Sequence, residues 1–222
     1  MEREAFLGRV RQSLGDAPAA DLPASFPATP ASGTDATAER FLAELGKAGA
    51  SGSVVARYEL ADAVADAARA LTSGAGDGDT LTAVVAPDTD EFAAEIEIGL
   101  RVAGVDVDRP DAPGWREASS RAALGVTSAE LGVASTGSVL IVPGAASPRV
   151  ASLLPTAHLV VMPAGRLVAG LEDAMPTVAG TADVSSAPVL VTGPSRTSDI
   201  EMITVLGVHG PKALHVLLVG EW

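Results

Sequence analysis

A chain of 222 residues with 47% hydrophobic and 19% charged side chains has enough apolar surface to offset the entropy of ordering, which excludes an intrinsically disordered protein. A formal charge of −13 and an aromatic content of 3% exclude the basic, base-stacking surfaces that bind nucleic acid. Cysteine is absent, which excludes disulfides, thiolate nucleophiles and any cysteine-ligated zinc or iron–sulfur cluster within the chain.

Residues 1–12 carry Glu2, Arg3, Glu4, Arg9 and Arg11 in place of an apolar core, so no secretory signal is predicted and a cytoplasmic location is expected. Phe6, Leu7, Val10 and Leu14 stand at helical spacing and predict a short amphipathic helix over 1–14. Pro18, Pro23, Pro27 and Pro30, with Ala and Ser between them, interrupt helix and strand alike, so 16–33 is predicted as a linker. The organisation expected is an N-terminal arm over 1–33 and one folded domain over 34–222.

From 34 onward helical and strand patterns alternate, with helices predicted over 34–47 and 59–71 and strands over 53–57 and 80–86. A helix over 88–102 follows, with Asp88 or Thr89 as N-cap, acidic residues in its first turn and Gly104 at its end. A short strand over 105–107, a turn over 111–114 and a helix over 116–124 complete the first half. Apolar runs over 138–142, 158–162, 189–192 and 214–219 read as strands buried on both faces. Short helices are predicted over 148–153, 167–175 and 199–206, and a surface loop over 180–188. The alternation defines an α/β fold with a mainly parallel sheet flanked by helices. The uncharged run 150–165 contains Pro155, His158 and Pro163 and is shorter than the roughly 20 residues a spanning helix needs, so no membrane segment is predicted.

Two readings compete for residues 192–201. Ser198 with Glu201 three positions on is the pattern of a capping box, Asp199 suits the positive end of a helix, and Gly193-Pro194 turns the chain. Ser195, Arg196 and Thr197 remain: two hydroxyls and a guanidinium beside a predicted helix start, the residue types that hold a carboxylate or phosphate. A solvated or surface-paired arginine is the competing account.

A second hydroxyl-rich turn, Ser135-Thr136-Gly137-Ser138, reads either as a tight turn with Gly137 at a special backbone angle or as part of the same anion site. His158 opens a predicted strand and reads as a hydrogen-bonded interior histidine, with ligand contact as its alternative. His209, in the turn Gly207-Val208-His209-Gly210-Pro211, is either exposed or a general acid, and His215 is structural within its strand. The three histidines lack zinc-site spacing, and no Gly-x-Gly-x-x-Gly or Walker loop occurs, so no metal, dinucleotide or P-loop site is predicted.

Ala134 to Ser138, Leu153-Leu154-Pro155-Thr156-Ala157-His158 and above all the run GPSRTSDIEMITVLGVHGP over 193–211 resemble the lactate-utilisation protein C family, with its LUD-type domain. The resemblance is clear over 125–219. It implies a domain related to the glucosamine-phosphate deaminases, ribose-phosphate isomerases and CoA transferases, whose mainly parallel sheets bind small anionic ligands. It also implies work beside partner proteins, at least one carrying iron–sulfur clusters, in the oxidation of L-lactate to pyruvate. Members of the family often have an acidic residue where this chain has Ser135, so an acyl-glutamate mechanism has no carboxylate in that turn and no nucleophile is assigned.

The function expected is therefore a non-redox, cofactor-free component of an L-lactate utilisation system. Ser195, Arg196, Thr197, Thr136, Gly137, His209 and His158 are the candidate anion ligands. The alternative is a free-standing enzyme on a small phosphorylated or CoA-linked substrate, with His209 or His158 as acid or base.

Overall fold

The computed structural model describes residues 3–14, 37–74, 81–109, 114–143, 149–181, 187–197 and 205–220. The chain divides into two units, Met1–Pro30 and Ala31–Trp222. The first contains helix α1 (Arg3–Leu14), as its apolar spacing predicts. The linker expected over 16–33 lies outside the described residues.

The second unit is built on a six-stranded sheet whose neighbouring strands all run parallel, in the order β1 (Ser51–Ala56), β12 (Ala213–Gly220), β7 (Ala157–Pro163), β4 (Leu124–Thr127), β2 (Thr82–Val85) and β3 (Asp106–Asp108). Strand β7 shows why an unbroken apolar run suits its centre. Leu159 and Val161 face helices α3 (Leu60–Thr72) and α4 (Ala93–Val102), packing with Leu60, Val64, Ile96 and Leu100. Val160 and Met162 point the other way, onto Phe41 and Leu45 of helix α2 (Ala38–Lys47). Beyond β4, the second face is closed by α5 (Trp115–Arg121) and α6 (Val150–Leu153), with Trp115, Ala118 and Ala151 packed on Val84 of β2.

A smaller sheet of four strands, in the order β8 (Leu167–Val168), β5 (Leu131–Val133), β6 (Ser138–Ile141) and β9 (Val189–Val191), also meets that second face through Val139 and Ile141. Its β5–β6 and β6–β9 pairs are antiparallel. This second sheet is absent from the sequence reading, which places only β6 and β9 and gives no strand over 124–127 or 131–133. Both missed strands are short and contain a glycine, Gly125 and Gly132, so neither carries a periodic signal.

Four further expectations are corrected. The helix expected over 167–175 is strand β8 followed by α7 (Leu171–Gly180), because Asp173 Oδ2 accepts from the Gly170 backbone N–H at 3.0 Å and sets the helix start there. Neither Asp88 nor Thr89 caps α4. A 3₁₀ turn over Pro87–Phe92 precedes it, and the buried Thr89 hydroxyl donates to the Ala86 carbonyl at 2.7 Å. Strand β9 is half exposed at the rim of the small sheet rather than buried on both faces. Val205–Leu206, expected to end a helix, forms β11, antiparallel to β10 (Arg196–Thr197); the rest of that helix and the Ser198–Glu201 capping box lie outside the described residues.

Candidate functional site

A cavity of about 230 Å³ lies at the amino ends of β7 and β12 and along β9, whose Val189, Leu190 and Val191 all line it. His158 and Leu214, register partners on β7 and β12, form one wall. Ser152 and Leu153 of α6 form another, and the turn Thr192 to Ser195 with His209 to Pro211 completes it. No lysine, arginine, aspartate or glutamate stands among the described residues that line it. Its walls are mainly apolar, and its polar groups are hydroxyls and imidazoles.

Two main-chain bonds hold the turn in place. The Ser195 N–H donates to the Pro211 carbonyl and the Gly207 N–H donates to the Ser195 carbonyl, each at 2.9 Å. The Lys212 N–H donates to the Thr156 carbonyl at 2.7 Å, tying the same loop to the start of β7. This main-chain pairing fixes where Ser195 and the turn that carries His209 stand.

His158 is 1% exposed, and its Nε2 lies 2.9 Å from Thr127 Oγ1 on β4. Burial away from water disfavours the imidazolium and pushes its pKa down to about 4, so the ring is neutral at pH 7. His209 is exposed at the cavity's other side. His215 lies in β12 with Nδ1 2.7 Å from the hydroxyl of Ser51, its register partner on β1, and desolvation lowers its pKa too. That position is structural, as read from the strand pattern.

The hairpin between β5 and β6 reaches the cavity through a line of hydroxyls. Thr136 Oγ1 lies 2.7 Å from Ser138 Oγ, and Ser138 Oγ lies 2.6 Å from Thr192 Oγ1 on the cavity wall. Gly137, with φ of +64°, lies against the backbone of Leu45 in α2, where a side chain at that position would overlap the helix.

The structure thus brings together Ser195, His158 and His209, and links Thr136 to them through Ser138 and Thr192. It does not bring Arg196, Thr197 or Gly137 into the cavity. Arg196 turns its guanidinium to the end of α2, where Nη2 donates to the Ala48 carbonyl at 2.6 Å, a cation at the negative end of a helix. Gly193, with φ of +82°, crosses the same carbonyl, and a Cβ there would stand 2.6 Å from the Ala48 oxygen. Thr197 pairs with Val205 in the β10–β11 ribbon.

Sequence reasoning missed Ser138 and Thr192 as members of the site. The available signal was the pair of hydroxyls at 136 and 138, flanking Gly137 where the chain turns into β6. Among the described residues no three histidine, aspartate or glutamate side chains are grouped so as to hold a metal ion, and no helix is long and apolar enough to cross a membrane.

A six-stranded parallel sheet flanked by helices, with a smaller second sheet beside it, defines an α/β class of domain. The LUD domain family matches residues 38–219, and the chain belongs to that family. It is similar to the protein named lactate utilization protein C of Macrococcus caseolyticus, 33% identical over 128 residues that make 52% of this chain and 55% of that protein. The proteins of the same name in Bacillus subtilis and Deinococcus radiodurans are 34% and 32% identical, over 45% and 53% of this chain and 44% and 56% of theirs. The chain spans about half the length of these curated relatives. A solved DUF162 family protein from Deinococcus radiodurans shares the fold, with a TM-score of 0.55 and 21% identity over 82% of this chain and 95% of that one.

Proposed function

We propose that this chain is a non-redox component of an L-lactate utilisation system and that the cavity of His158, Ser195 and His209 is its ligand site. The observation that carries the reading is the similarity to proteins named lactate utilization protein C within a LUD domain that spans 38–219. The chain has no cysteine, so a thiolate-held iron–sulfur cluster in such a system belongs to other subunits, which accept the electrons of lactate oxidation. An anion in the cavity draws on the side chains of Ser195, Thr192 and His209, with Arg196 held elsewhere. A free-standing enzyme on phosphorylated or CoA-linked substrates is the weaker reading, because the described lining offers no lysine or arginine for phosphate.

The test is affinity purification of the tagged chain from its native cells grown on L-lactate and, separately, on a sugar. Co-purification of iron–sulfur proteins with lactate-oxidising activity, from lactate-grown cells only, is the expected result. A chain recovered alone under both conditions overturns the component reading.

A further inference from the structure

Ser138 is 3% exposed, and its hydroxyl has Thr136 on one side and Thr192 on the other. A hydroxyl carries one proton and two lone pairs. A buried proton without an acceptor is costly, so the Ser138 proton goes to one neighbour and Ser138 accepts from the other. Two arrangements follow. When Ser138 donates to Thr192, the Thr192 proton is left for another acceptor, and Thr192 lines the cavity. When Thr192 donates to Ser138, Thr192 presents only lone pairs there. Thr136 is partly exposed, so water satisfies its end of the line in either arrangement.

From this we propose that Thr192 is a ligand-contacting residue for both members of an alcohol and carbonyl pair, a short 2-hydroxy acid and its 2-oxo counterpart, with Ser138 as its positioning residue. The proposal rests on the cavity being the ligand site. The Thr192 proton serves a carbonyl oxygen and the Thr192 lone pairs serve a hydroxyl, with reversal of two hydrogen bonds and no movement of heavy atoms. Size and polarity fit the same class. The cavity, about 230 Å³, is below the roughly 300–1,000 Å³ that holds drug-sized ligands. Leu153, Val191 and Leu214 offer apolar contact to a short carbon chain. With no cation among the described lining residues, a carboxylate stays at the open side beside the exposed His209 rather than in the interior.

The experiment titrates the full chain with L-lactate and, separately, pyruvate, following backbone amide and imidazole resonances by nuclear magnetic resonance. Wild type is expected to bind both, with shifts at Ser195 and His209. Thr192→Val is expected to weaken both by about tenfold or more, and Thr192→Ser, which keeps the hydroxyl, to stay within about threefold of wild type. Ser138→Ala is expected to weaken both ligands to a similar degree, because Thr192 then loses its fixed partner. Binding at Ser195 and His209 that Thr192→Val leaves unchanged overturns this inference and leaves the cavity standing as the ligand site. Saturating amounts of both ligands that shift neither residue overturn the inference and the ligand-site reading together.

Discussion

His158 and Thr127 meet across the middle of the parallel sheet, with the imidazole Nε2 2.9 Å from the threonine hydroxyl on the neighbouring strand. Gly125, the register partner of His158, has no side chain to intervene, and Thr127 lies two residues further along the same face of β4. Burial keeps the ring neutral, and Thr127 keeps it hydrogen-bonded.

Stability should therefore depend on this histidine in acid. In the folded chain burial holds the His158 pKa at about 4, against 6.5 for an imidazole in water. The unfolded state takes up a proton first, so the stabilising contribution is complete above about pH 6.5 and is lost as pH falls towards 4, by up to about 3 kcal/mol. The lowered pKa of His215 tilts stability in the same direction. Urea denaturation at pH 7.5 and 5.0 tests this: His158→Gln should lower stability at pH 7.5 yet lose less than wild type on going to pH 5.0. An equal loss in both proteins would mean that His158 is protonated within the fold.

Arg196→Ala should act on folding rather than on ligand. Removing the bond to the Ala48 carbonyl at the end of α2 should reduce stability by about 1 kcal/mol, a fall in Tm of roughly 2–4 °C for a domain of this size. Calorimetry with L-lactate should show affinity unchanged. Weakened binding at unchanged Tm would return the guanidinium to the cavity.

Gly137→Ala should destabilise by about 2 kcal/mol or more. The new methyl group meets the α2 backbone at Leu45, which has no room to yield, and the residue holds a left-handed conformation. Gly165→Ala is the control, since open space surrounds that position and the change should be nearly neutral. Similar midpoints for the two variants in chemical denaturation would contradict the packing described for the hairpin.

Ser119→Ala should be stabilising. The Ser119 hydroxyl is fully buried in α5 and has no hydrogen-bond partner among the described residues, so alanine removes a desolvated polar group while keeping the helix. A gain of about 1 kcal/mol in urea unfolding is expected. A loss of similar size would reveal an acceptor for that hydroxyl.

Much of the sheet was legible in the sequence because its central strands are unbroken apolar runs. The segments predicted over 158–162 and 214–219 lie within β7 and β12, and the amphipathic pattern of 59–71 lies almost wholly within α3. Of the small sheet only β6 and β9 were legible, because β5 and β8 have three and two residues, too few for alternation to register, and because its pairing is set by contacts between distant segments such as β5 with β8. At the site, the hydroxyl and histidine types were visible, but their directions were not. Arg196 looked like an anion ligand from composition alone, and only its distance to the Ala48 carbonyl shows what the guanidinium holds. Ser138 and Thr192 stand 54 positions apart, and nothing local in either segment announces that they touch.

Strand β12 lies between β1 and β7, so the six-stranded sheet has a gap at its second position until residues 213–220 arrive. Strand β1, made more than 150 residues earlier, finds its one neighbour in that sheet among the described residues there, from Ser51 beside His215 to Ala56 beside Gly220. During synthesis, α3 and the β7, β4, β2 and β3 block can associate while β1 waits unpaired, and the final eight-residue strand closes both ladders at once. Folding is thereby linked to completion of the domain, with the slow, long-range pairing step placed last. A nascent chain stalled before residue 213 presents two open parallel edges, and those edges are where a chaperone or an aggregating neighbour would engage it.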